Sequence, residues 1–156
     1  MTTRDVPWFK IGTAVVVAIG VGLVWMVILR GTSVADDVQP IDWHKQPCAH
    51  CQMLIGEPRF AAQLITRDGE VLSFDDPGCA LQYVNERQPQ IHRLWFHHGH
   101  DPRWLTAEQV GFTVGGNTPM GFGLVAVDRS TPGALDIAAA QVHVQHALAD
   151  GTGAKP

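Results

Sequence analysis

Pro47-Cys48-Ala49-His50-Cys51-Gln52-Met53 puts two thiols and a thioether within one short stretch. Polarisable donors of this kind suit a soft monovalent cation, Cu(I), and hard cations would not choose them. Met53 carries most of that argument. A thioether has no proton to lose, so it binds Cu(I) without competition from acid, whereas zinc sites are built from Cys, His or carboxylate. The plainer alternative is that Met53 only opens the apolar run Met53-Leu54-Ile55 and packs as a hydrophobe.

Other chemistries fit the same stretch less well. A thioredoxin-like redox pair needs its first thiol at a helix N-terminus, where the dipole lowers the thiol pKa. Gly56 and Pro58 would stop a helix begun at Cys51 almost at once. Zinc could use Cys48, Cys51 and two histidines of a later loop, but the second C-x-x-C of a zinc ribbon is absent. A Cys48–Cys51 disulfide is the plain outcome for a metal-free chain in an oxidising compartment.

More donors lie further on. His97-His98-Gly99-His100 clusters imidazoles, which suit copper when neutral and are otherwise solvated surface. Met120 lies between Thr118-Pro119 and Gly121-Phe122-Gly123, a glycine-flanked turn that lets a thioether approach a metal; core packing is its alternative. The expected metal site is therefore Cys51 and Met53, closed by Met120, with Cys48 or His98 as a transient extra ligand. Cys79 reads first as a small buried hydrophobe. Asp75 and Asp76 read as a helix cap before Pro77, not as an acid/base couple. His143 and His146 share a helix face and read as solvated. No catalytic residue is expected, and no enzymatic turnover.

These side chains must be placed by regular elements. Phe60 to Thr66 and Glu70 to Phe74 flank Arg67-Asp68-Gly69, a turn signal, and so read as a β-hairpin. Pro77 to about Glu86 reads as a helix with Leu81 and Val84 inward, and Ile91 to Phe96 as a third strand, which completes a β-β-α-β unit. The second half repeats the plan loosely. It has Trp104-Leu105, a turn of helix capped by Thr106 with Gln109, strands over Phe112 to Val114 and Leu124 to Val127, and an alanine-rich helix from Ala134 to Ala149. That helix is expected to present Leu135, Ala138, Ala139 and Val142 to the core. The expected fold is α+β with mainly antiparallel strands.

At 156 residues, 17% charged and 46% apolar, the chain has room for one soluble domain of modest size. A net charge of -4 with no basic cluster argues against a nucleic-acid partner. Its three cysteines are too few for a disulfide scaffold. Ile11 to Leu29 is uncharged and as a helix spans about 28 Å, enough to cross a bilayer core. Arg4 and Lys10 precede it, which puts the N-terminus in the cytoplasm and the rest in the periplasm of a single-pass inner-membrane protein. Ser33-Val34-Ala35 leaves cleavage as a signal peptide open. The expected organisation is a cytoplasmic N-terminus 1–10, an anchor 11–29, a linker 30–46, a copper-binding domain 47–149 and a disordered tail 150–156.

From Cys48 to about Val127 the chain resembles the NosL family of nitrous oxide reductase accessory proteins. The resemblance rests on several motifs in order: Cys48-Ala49-His50-Cys51-Gln52-Met53, Arg59-Phe60-Ala61-Ala62-Gln63, Phe74-Asp75-Asp76-Pro77-Gly78-Cys79, Trp104-Leu105-Thr106-Ala107 and Thr118-Pro119-Met120-Gly121-Phe122-Gly123. It implies a periplasmic Cu(I) metallochaperone that supplies nitrous oxide reductase during assembly of its copper centres, beside a membrane transporter complex. It also implies two related β-β-α-β units. Two departures stand out: Gln52 replaces the family's usual Gly, and the Ile11 to Leu29 segment replaces the usual lipoprotein anchor. Another cuproenzyme, such as a terminal oxidase, stays open as the recipient.

Overall fold

The computed structural model describes residues 8–31, 34–151 and 153, and divides them between two compact units, 1–33 and 34–156. In the first unit, helix α1 runs Trp8–Gly31, with side chains described for 15–26 only. Among the described residues no helix is long and apolar enough to cross a membrane. The expected anchor Ile11 to Leu29 lies in part outside those side chains, and residues 1–7 of the expected cytoplasmic stretch lie outside the described residues.

The second unit begins its regular structure with the expected hairpin, β1 (Ala62–Thr66) and β2 (Val71–Phe74). Gly69 takes φ +91 in the turn, and its N–H donates to the Thr66 carbonyl at 3.0 Å. Helix α2 (Pro77–Arg87) follows, then β3 (Ile91–His97) and β4 (Trp104–Thr106), all antiparallel in a sheet of order β2-β1-β3-β4. A second sheet pairs β5 (Val110–Val114) with β6 (Leu124–Asp128), and α3 (Ile137–Ala149) ends the fold. The first β-β-α-β unit is thus complete. The second keeps the hairpin and helix, β5-β6-α3, but no strand follows α3 among the described residues, and β4 extends the first sheet instead. The architecture is α+β.

Register explains the core. Ala62 faces Phe74 on one side and Phe96 on the other, and Leu64 faces Leu72 and Leu94, so these side chains share the face beneath α2. The Phe96 ring meets Phe112 edge-on at 5.0 Å, which joins the two sheets through one core. The opposite face of β1 carries Gln63, fully buried between Ser73 and Trp95. An amide there needs partners. Gln63 accepts from the Gln39 N–H at 2.6 Å and donates to the Gln39 carbonyl at 3.1 Å and to Ser73 Oγ at 3.1 Å. Residues 34–46 therefore do not hang free as the expected linker. They lie along the sheet, and Asp36 also pairs with His92 and Arg93, each at 2.9 Å.

Two local readings need correction. Thr106 caps no helix: its N–H donates to Gln109 Oε1 at 3.1 Å while the Gln109 N–H donates to the Thr106 carbonyl at 3.0 Å, closing a tight turn between β4 and β5. Helix α3 starts three residues late, at Ile137 behind an Asp136 cap, and buries Ala140, Val144 and Ala147, leaving Ala138, Ala139 and Val142 exposed. Leu135 instead bridges to Phe112 as an added strand residue. In a run so rich in alanine the apolar contrast between faces is weak, and packing chooses the face. Of the expected tail, 152 and 154–156 lie outside the described residues, while Gly153 is buried and donates to the Ala147 carbonyl at 2.9 Å.

The start of α2 is closely packed. The ring of Phe122 lies where a Cβ on Gly78 would sit. Gly78→Ala should therefore cost about 1–3 kcal/mol by overpacking, read as a lower urea midpoint with an unchanged denaturant slope.

Candidate metal centre

The donor loop is a miniature hairpin. The Ile55 N–H donates to the Gln46 carbonyl at 2.9 Å and the Cys48 N–H to the Met53 carbonyl at 2.7 Å, so the two ends are bonded and His50 and Cys51 lie in the turn. Ala49 donates to the Ser73 carbonyl at 2.9 Å, which fastens the loop to the end of β2. Gln52 closes the turn at φ +64, a left-handed conformation that explains why glycine would be at home here. Its Nε2 donates to the Cys48 carbonyl at 3.2 Å, so the side chain offsets part of the backbone strain.

The first two residues after β2 hold the loop against the helix. Asp75 is buried, and its Oδ1 accepts from the Gly56 N–H at 2.9 Å, just beyond the donor loop. Asp76 is the N-cap of α2, as its place before Pro77 implied: Oδ1 accepts from the Gly78 N–H at 2.7 Å and Oδ2 from the Met120 N–H at 3.0 Å. Burial pushes both carboxyls above their usual range, against the pull of these N–H donors.

That cap puts Cys79 in the first turn of α2, facing the loop. The sulfurs of Cys48, Cys51 and Cys79 all lie within 4.8 Å of one another, and all three thiols are free. At a metal–sulfur bond of about 2.3 Å, the sulfurs of a trigonal site stand about 4.0 Å apart and those of a linear pair about 4.6 Å. The observed group fits either. Among the described residues no fourth His, Cys, Asp or Glu atom joins it. A closed zinc site wants four ligands, whereas soft Cu(I) accepts the three sulfurs present.

The thiols are not equivalent. Cys48 is held down to about 5, chiefly by the Cys79 thiol donating to it, against burial and with help from the backbone amides of Asp75, Cys51 and His50. Cys79 is pushed far up because its proton is engaged with Cys48 and because it is buried. Burial raises Cys51 as well. One thiolate among two thiols results, with the charge stabilised before any metal arrives.

The expected ligands divide. Cys48 and Cys51 are in the group, and sequence reasoning missed Cys79 as their partner; Asp76-Pro77 marks where α2 begins but not what its first turn meets. Met53 is 52% exposed at the edge of the loop. Met120 is buried in the same cluster of side chains as Cys48 and Cys79, with its backbone fixed by Asp76. His98 is not in the group. Its Nδ1 accepts from the N–H groups of His100 at 3.1 Å and Asp101 at 3.0 Å, which leaves the proton on Nε2, 3.8 Å from an Asp128 oxygen. That imidazole shapes the β3–β4 loop. His143, read as solvated, donates from Nε2 to the Phe122 carbonyl at 2.9 Å.

With this geometry in hand, comparison with known proteins adds one solved structure, the crystal structure of the copper chaperone NosL from Shewanella denitrificans. It is 18% identical, with a TM-score of 0.49, and the match covers 72% of this chain and 88% of that one. The chain resembles that protein in structure. No family model matches, and no curated protein does.

Two outcomes are expected of the metal-free, reduced protein. Its ultraviolet thiolate absorbance should titrate with a midpoint near 5, be lost in Cys48→Ser and move upward in Cys79→Ala. Because the folded value lies below the ordinary 9.0, the Cys48 thiolate contributes fully to stability above about 9, and that contribution drains away as pH falls from there to about 5, below which it is gone. At Gln52, replacement by Val should cost about 1–2 kcal/mol in thermal unfolding, while Gly should stay within about 1 kcal/mol of the parent, because only Gly suits the left-handed backbone.

Proposed function

We propose that the protein is a membrane-anchored Cu(I) metallochaperone facing the periplasm, which delivers copper for assembly of the copper centres of nitrous oxide reductase beside a membrane transporter complex. The observation that carries the copper reading is the convergence of three sulfurs from two separated segments, with no fourth hard or borderline ligand among the described residues. The periplasmic side, the α1 anchor and the recipient rest on the charge bias around Ile11 to Leu29 and on the resemblance of the Cys48 to Gly123 motifs to the NosL family.

The arrangement suits carriage. A low-coordinate soft ion can accept an incoming donor before it loses an outgoing one, so copper passes by ligand exchange and is never set free. A dithiol oxidoreductase fits less well: Cys48 and Cys51 lie in a hairpin turn, and it is Cys79 that occupies the helix N-terminus.

Anaerobic titration of the reduced protein with Cu(I) should saturate near one equivalent. With Cys48 already ionised, engagement of all three sulfurs at neutral pH should release about two protons. Cys51→Ala should abolish tight binding, and Cys79→Ala should weaken it about tenfold or more. Equal affinity for Zn(II), indifferent to these sulfurs, would sink the copper reading. In cells lacking the protein, nitrous oxide reductase should accumulate without copper and be restored by the wild type but not by Cys51→Ala. An undiminished reductase would remove that enzyme as recipient.

A further inference from the structure

The three cysteine sulfurs are contiguous but differ in access. Cys48 and Cys79 are 0% exposed and lie in one apolar cluster, whereas Cys51 is only partly buried. All three are unbonded and within 4.8 Å of one another, and the Cys79 thiol donates to the Cys48 sulfur. Backbone bonds hold that pair in place from both sides. Ala49 is tied to the Ser73 carbonyl and the Cys48 N–H to the Met53 carbonyl, while Asp76 caps the turn that carries Cys79. Sulfurs so placed are poised for a second chemistry, since a disulfide needs them about 2 Å apart and the swing of two side chains closes the gap.

Resting on the metallochaperone reading above, we propose that the metal-free protein is locked by a Cys48–Cys79 disulfide, made and broken through Cys51, so that oxidation and copper loading exclude each other. The oxidant is a disulfide from outside, and it meets Cys51 first. The Cys51 sulfur attacks it, releasing one thiol and leaving a mixed disulfide. Cys48 then attacks the Cys51 sulfur, which releases the second thiol and forms a Cys48–Cys51 bond. Cys79, in contact with Cys48, attacks Cys48 in turn and returns Cys51 as a thiol. Two cysteine thiols are oxidised, and the outside disulfide leaves as two thiols carrying both electrons and both protons. Exchange within the group lets the more stable bond win. Cys48 and Cys79 stand roughly thirty residues apart, so joining them restrains the unfolded chain far more than closing the four-residue turn from Cys48 to Cys51. Burial also screens that bond from reductants, and only Cys51, attacking from the same group, reopens it. Locked, the site keeps one of its three sulfurs. Loaded, its sulfurs are engaged with copper and closed to oxidation.

The test treats the full-length, metal-free protein with oxidised glutathione, then blocks free thiols and digests with trypsin without reduction. Cys48 and Cys51 fall in the peptide 46–59 and Cys79 in 68–87. The expected product joins these two peptides, with the blocking label on Cys51. A disulfide internal to 46–59, or glutathione left on Cys51 with no internal bond, would overturn the lock. Cys51→Ser should slow formation of the same bond about tenfold or more, because the oxidant has lost its point of entry; an unchanged rate would overturn the relay. After removal of glutathione, the oxidised protein should hold Cu(I) against bicinchoninate at least about a hundredfold less tightly than the reduced one, and the copper-loaded protein should resist oxidation. Equal affinity in the two forms would overturn the exclusion. A reduced protein that takes up no Cu(I) would instead overturn the metallochaperone reading, while the peptide linkage would still report on the disulfide.

Discussion

A carboxylate taken out of water must find donors, and Asp76, fully buried, finds them in two distant parts of the chain: the first turn of α2 and the turn at Met120. Asp75 does the same for the segment at Gly56. Side by side, the two residues pull the donor loop, the helix and the Met120 turn to one point. Each carboxyl is held away from its preferred ionisation by burial and kept in place by backbone N–H groups, so the strain sits in the support and the thiols are left free for metal. Were this corner lost, Cys79 would have no reason to face Cys48 and Cys51.

The same corner decides between chemistries. In a redox pair one thiol is activated by a helix and attacks its neighbour across a short turn. Here the ionised sulfur, Cys48, lies outside any helix, and the thiol that stabilises it comes from the helix. The charge is spread over a donor set instead of concentrated on an exposed nucleophile. Buried negative charge of this kind can be balanced by a cation, and polarisable sulfur suits a soft one best.

Local chemistry made much of this readable in advance. Gly69 marked the hairpin turn, Asp76-Pro77 marked the start of α2, and the Cys48 to Met53 stretch marked the donor loop. What escaped depends on distance along the chain. Nothing near Cys79 says that two thiols from some thirty residues earlier come to meet it. Gln39 and Gln63 look like ordinary polar residues until the sheet buries one of them and makes it seek the other's backbone. The face of α3 was misjudged because alanine hardly distinguishes inside from outside, and His98 looked like a ligand because its two N–H donors come from a loop conformation that sequence does not display.

Phe122 brings the far end of the chain into play. Its ring covers Gly78, its carbonyl is held by His143 on α3, and Gly153 packs against it. The cysteines are therefore translated long before the pieces that frame them, and a chain still emerging from the ribosome carries its sulfur ligands as loose groups on an unfinished scaffold. Assembly of the three-sulfur group is in this way deferred to the completed protein, and a chain cut short before its last helix would hold those sulfurs poorly in place.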